Sequence, residues 1–140
     1  MAGGRVVLDT NIVLDLLLFA DPSARALDAG LRSGSWTWLS TAAMRAELER
    51  VLGYPQIVRQ LVLRHAVQAP VLAGYDRLAQ LSAAAPRCAL RCSDLDDQMF
   101  LNLAVAHQAV LLSKDRALLK LAGRLAAVGV AVRRAADFVA

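Results

Sequence analysis

Short apolar runs that stop at a polar or acidic turn and hand over to a helical pattern recur along this chain, and this alternation constrains the fold more than any other feature. Val6-Val7-Leu8 has the continuous apolar character of a strand buried on both faces. Asp9-Thr10-Asn11 closes it before the apolar, helix-like stretch Ile12 to Phe19. Pro22 with Ser23 starts a second helix that runs through Leu31 to the turn Ser33-Gly34-Ser35. Trp36 to Leu39 suits another strand, with Ser40-Thr41 capping a helix from Ala42 to Leu52. Gly53-Tyr54-Pro55 breaks that helix, and Gln56 to Ser82 reads as two helical pieces divided near Pro70. Arg87 to Arg91 suits a short extended segment, after which Ser93 caps a helix from about Asp94 to His107. Ala109 to Leu112 fits a buried strand, Arg116 to Leu125 a helix, and Val128 to Val132 a last strand with Gly129 at its start. Alternation of this kind predicts an α/β fold, a parallel sheet with helices on both faces.

A length of 140 residues fits one domain over 1–140, and 57% apolar against 20% charged residues predicts a substantial core with no long disordered tail. The most apolar early stretch, Ile12 to Ala20, is interrupted by Asp15 and falls short of the roughly 20 residues that a membrane span needs. Asp9 likewise ends the run after Arg5 before a secretory apolar region can develop, so the expected location is the cytoplasm, with no membrane partner. Cys88 and Cys92 have neither a second cysteine pair nor histidines at zinc-ligand spacing, and read as reduced thiols. The net charge of +4 leans modestly toward polyanionic partners.

The acids say more than the net charge. In open parallel sheets, ligands gather beyond the carboxyl ends of the strands. Asp9 falls at such an end, Asp115 lies just past the strand Leu111-Leu112, Asp97 sits in the first turn of a helix entering from that rim, and Glu47 lies on the helix after Trp36 to Leu39. Each alone has a plainer reading: a cap or turn for Asp9 and Asp115, a solvated helix face for Glu47, macrodipole compensation for Asp94, Asp96 and Asp97. At matching positions of one topology they predict convergence. Carboxylates brought together repel and stay ionised only beside a compensating cation. Hard oxygen donors favour Mg²⁺ or Mn²⁺, which activates water and neutralises a phosphoryl group, so phosphodiester hydrolysis is the natural reaction class.

Val7-Leu8-Asp9-Thr10-Asn11-Ile12, Glu47-Leu48-Glu49-Arg50-Val51-Leu52, Asp94-Leu95-Asp96-Asp97-Gln98-Met99-Phe100-Leu101 and Leu111-Leu112-Ser113-Lys114-Asp115, in that order, resemble the PIN-domain family, in particular its branch of toxins from toxin-antitoxin systems. The resemblance runs from Val6 to about Leu121. It implies a three-layer α/β/α sandwich, an acidic pocket for Mg²⁺ or Mn²⁺, and ribonuclease activity that releases a 3′-hydroxyl and a 5′-phosphate. Carried over by residue, the catalytic and metal-binding acids are Asp9, Glu47, Asp97 and Asp115. Asn11 and Ser113 take supporting hydrogen-bonding roles, and Glu49, Asp94 and Asp96 are neighbours of the pocket. The toxin branch further implies an RNA substrate, a cognate antitoxin protein that covers the acidic groove, and a homodimer. The sequence departs from the common pattern at Leu95, Gln98, Met99 and Ala117.

In this reading Asp9, Asp97 and Asp115 hold the cation directly or through water, and Glu47 completes the cluster and positions the attacking water. Arg45, Arg50, Lys114 and Arg116 lie near the rim in sequence and are candidates for phosphate contacts. Trp36 and Trp38 alternate on a strand, which makes at least one of them core, and His65 and His107 have no paired ligand nearby. Two other classes remain open. One is a catalytically weak or inactive PIN-fold module that binds RNA or protein, suggested by Leu95, Met99 and Ala117. The other is a phosphoacceptor receiver domain, which ordinarily needs an acidic pair where Asp9-Thr10-Asn11 supplies one acid.

Overall fold

Val6, Val7 and Leu8 offer no polar side chain to solvent, and in the computed structural model, which describes residues 4–138, they form the central strand of the sheet. This strand, β1 (Arg5–Leu8), lies between β2 (Thr37–Ser40) and β4 (Val110–Leu112). The edges are β3 (Ala79–Leu81) and β5 (Val132–Arg133), giving the order β3-β2-β1-β4-β5 with every pairing parallel. Leu8 of β1 is in register with Leu112 of β4, so the residues that follow, Asp9 and Ser113, leave neighbouring strands at the same level.

Eight α-helices among the described residues connect and cover the strands: α1 (Thr10–Leu17), α2 (Arg25–Arg32), α3 (Ala42–Leu52), α4 (Pro55–Leu63), α5 (Gln68–Leu78), α6 (Gln98–His107), α7 (Arg116–Leu119) and α8 (Ala122–Ala127). The period of two along a strand divides the core into halves. Val6 and Leu8 pack with Ile12, Leu27, Leu48 and Tyr75 on one face of the sheet. Val7 packs with Leu101, Leu111, Leu118 and Leu125 on the other. The result is an α/β/α sandwich. Trp38 is fully buried with its ring 4.7 Å from that of Tyr75, and the Tyr75 hydroxyl meets Ser40 Oγ. No helix of the described residues is long and apolar enough to cross a membrane.

Several boundaries differ from those the sequence predicts. The helical stretch after Pro55 divides at residues 64–67, where His65 takes φ +51°, and Pro70 instead sits in the first turn of α5, where its missing N–H costs nothing. The end of that stretch, Ala79–Leu81, is not helical. It pairs with β2, and Ser82 N–H continues the ladder by donating to the Ser40 carbonyl at 2.8 Å. Arg87 to Arg91 is loop rather than strand, held through Gln98, whose amide donates to the Leu90 carbonyl at 3.0 Å and accepts from Cys92 N–H at 2.8 Å. Asp94, not Ser93, caps the turn ahead of α6, accepting from Asp96 N–H at 2.9 Å. The helix expected over Arg116 to Leu125 is two helices, and Gly129, at φ +81°, turns the chain so that the last strand begins only at Val132.

Candidate metal centre in an acidic cavity

Three strands deliver their following residues to the carboxyl edge of the sheet, and a cavity of about 300 Å³ opens there. Asp9, Glu47, Asp94, Asp96, Asp97 and Asp115 all line it, together with Thr10 and Asn11. Of the acids expected at the site, Asp9, Glu47, Asp97 and Asp115 therefore face one space, with Asp94 and Asp96 beside them. Glu49 turns away and pairs with Arg45.

Asp9 ends β1 and caps α1. One carboxylate oxygen accepts from Ile12 N–H at 3.0 Å, and the other accepts from Ser113 Oγ. Ser113 Oγ in turn accepts from Asp115 N–H at 2.9 Å, so one buried hydroxyl ties the ends of β1 and β4 together. Asp115 caps α7 by accepting from Ala117 N–H at 2.7 Å. Asp94 and Asp97 come from the short turn before α6. Glu47 reaches the cavity from α3 and accepts from Thr10 Oγ1. Asn11 is exposed on the lining and makes no side-chain hydrogen bond among the described residues; the neighbouring Thr10, which sequence reasoning did not single out, makes the bond to Glu47. The only sequence signal for Thr10 is its place immediately after the strand-end aspartate.

One carboxylate oxygen from each of Asp94, Asp97 and Asp115 lies within 4.8 Å of the others. Asp9 lies outside this trio, and its two oxygens accept from Ile12 and Ser113. The electrostatics are those of a site lacking positive charge. Burial raises the pKa of Asp9 to about 6 against the opposing pull of its Ser113 and Ile12 hydrogen bonds, and Asp115 adds to the rise while Lys114 opposes it. Burial first, then a hydrogen bond with Asp115 and the negative charges of Asp115, Asp94 and Asp9, raise Asp97 to about 8. Asp97 Oδ2 is buried with no hydrogen-bond partner among the described residues. A buried acceptor left unpaired is costly, and a cation bound by the three carboxylates would satisfy it. The donor set, all carboxylate oxygen, fits a hard divalent ion.

Of the four basic residues expected at the rim, Arg45 is bound to Asp76 at 2.6 and 2.9 Å and Lys114 to Asp15 at 2.9 Å. Arg50 and Arg116 are exposed and form no ion pair among the described residues.

A five-stranded parallel sheet carrying a carboxylate cluster at its carboxyl edge defines an α/β protein with a candidate metal site. The PIN-domain model matches residues 5–117, four of the five strands and every acid of the cavity, and the chain belongs to the PIN-domain family. PIN domains are generally nucleases that use divalent metals and act on RNA or DNA. No curated protein matches the chain.

Proposed function

We propose that this PIN-domain protein is a Mg²⁺- or Mn²⁺-dependent endoribonuclease, the toxin member of a toxin-antitoxin pair acting in the cytoplasm. The observation that carries the reading is the convergence of six carboxylates on one cavity with a buried oxygen of Asp97 that has no partner among the described residues. Asp97 and Asp115, with Asp94 beside them, would hold the cation, and Asp9 and Glu47 would complete the cluster directly or through water. The ion supplies charge neutralisation on the phosphoryl group and acidifies water. Ser113 keeps Asp9 and the turn before Asp115 aligned, and Thr10 fixes the Glu47 carboxylate, to which we assign the orientation of the attacking water. Arg50 and Arg116, exposed and close in sequence to Glu47 and Asp115, are the cations we assign to phosphate contacts.

The test is cleavage of a mixed RNA pool with Mn²⁺ by the native chain, Asp9→Asn and Asp97→Asn. Cleavage by the native chain alone is expected. Equal cleavage by all three overturns the assigned pocket, and no cleavage by any would favour a binding module. The toxin assignment is tested by sizing the protein with and without the product of the neighbouring reading frame. A stable complex that suppresses cleavage is expected, and a homodimer would show in the protein alone.

A further inference from the structure

The acids account for only part of the cavity lining. Leu14, Val51, Tyr54, Ile57 and Phe100 line it as well. Glu47 and Val51 lie one turn apart on α3, which ends at Leu52, and the chain then brings Tyr54, the extended residue that precedes α4, to the same cavity. Tyr54 remains 46% exposed although it lines the cavity. Its backbone is nonetheless rigidly mounted at the corner between α3 and α4. Its N–H donates to the Val51 carbonyl at 3.0 Å, its own carbonyl accepts from Ile57 and Val58 at 2.9 and 2.8 Å, and Pro55 restricts the next bond.

A half-exposed ring on a fixed mount, in a cavity whose lining combines apolar side chains with a carboxylate cluster, matches what a nucleotide presents: a flat base next to an anionic phosphate. The volume suits one nucleotide and not a duplex. We infer that Tyr54 is the stacking platform for an unpaired nucleobase flanking the scissile phosphate. The inference rests on the ribonuclease reading above. A base inside a helix keeps its faces covered by its neighbours, and only an unpaired one can be laid on the ring. Stacking of this kind tolerates any base. Gln56, exposed on the same lip, adds an amide that can meet a base edge.

The experiment uses a 5′-fluorescein single-stranded RNA whose cut site has been mapped with the native protein and Mn²⁺, and a set of copies carrying one abasic ribose at successive positions around the cut. Tyr54→Ala is expected to lower kcat/KM about tenfold, chiefly through KM, a loss at the low end for base–aromatic stacking, while Tyr54→Phe stays within about twofold. One abasic position should cost the native protein the same factor and cost Tyr54→Ala nothing further, the non-additivity of two groups that touch. Native-like cleavage by Tyr54→Ala, or the same loss on every abasic RNA, overturns the inference. So does a Tyr54→Ala protein that changes oligomeric state on sizing with unaltered RNA kinetics, which would give the ring to a protein interface continuous with exposed Val58 and Val62. If the native protein cuts no RNA, the ribonuclease reading fails separately, and stacking is judged by anisotropy of the same RNA with Ca²⁺. Weaker binding by Tyr54→Ala with recovery in Tyr54→Phe supports it, and equal or absent binding overturns it.

Discussion

Asp97 carries the sharpest conflict among the described residues, a carboxylate crowded by Asp94 and Asp115 with one buried oxygen that none of them satisfies. Its pKa of about 8 and that of Asp9, about 6, both lie above the ordinary 3.8. The native chain therefore holds protons that the unfolded chain releases near pH 4, and the stability linked to them is complete below that pH and is lost as pH rises through 6 and then 8. Asp21 and Asp76, whose pKa values are lowered by hydrogen bonds from Ser23 and Arg45, act oppositely but only in acid. In EDTA, then, the melting temperature should fall as pH rises from about 4 to 8 and level off above that. Asp97→Asn imitates the protonated side chain, so it should melt above the native protein, by a margin that widens as pH rises toward 8 and is constant beyond it. Scanning calorimetry of both proteins in chelator checks this; a margin independent of pH would mean that Asp97 is not the group being titrated. Sites built for ligands commonly trade stability in this way.

At the scale of elements, α1 and the turn after β4 are joined twice, by Asp9 with Ser113 and by Asp15 with Lys114. Asp15 is buried while Lys114 is half exposed, which places the pair between surface and interior ion pairs. Lys114→Ala leaves a buried carboxylate alone and should cost about 1–3 kcal/mol, with Asp15→Asn/Lys114→Ala less damaging than the sum of the single changes. Urea unfolding of the four proteins measures the coupling. Additive single changes would remove the pair from this role. The elements that these bonds join were partly legible in sequence. Val6-Val7-Leu8, Trp36 to Leu39 and Ala109 to Leu112 announce central strands because burial on both faces leaves only apolar and β-forming residues tolerable. Ala79–Leu81 gives no such signal. Alanine, glutamine and leucine are helix formers, and the segment is extended because β2 offers it an open edge. The break at 64–67 contains neither glycine nor proline, so its left-handed His65 could not be read. At the site, the topology made a gathering of acids predictable. The engagement of Asp9 with Ser113, the approach of Asp94 to Asp97 and the bond from Thr10 to Glu47 depend on side-chain rotamers across distant elements, which no spacing encodes.

Over the whole molecule the charges are segregated. Sixteen basic residues face twelve acids, and six of those acids line the cavity, leaving six for the rest of the chain. A polyanion thus meets a basic exterior surrounding an acidic centre, and the two make different demands on solution conditions. The centre needs a cation: Mn²⁺ at about a hundredfold its Kd should stabilise the fold by about 2.7 kcal/mol, a rise of roughly 5–12 °C in Tm for a chain of this size. Asp97→Asn should lose that rise, and Asp28→Asn, altering an acid paired with Arg32 on α2, should keep it. The exterior needs low salt. If Arg50, Arg116 and a few other cations contact phosphates, log Kd for a single-stranded RNA should climb with log salt at a slope of about 2–4, each contact contributing about 0.7. Because the cavity acids repel phosphate until a cation neutralises them, chelation should weaken RNA binding at every salt concentration while leaving that slope nearly unchanged. Anisotropy titrations with Ca²⁺ or EDTA across a salt series separate the terms. Equal affinity with and without the ion would mean that RNA reaches the basic exterior without entering the acidic cavity.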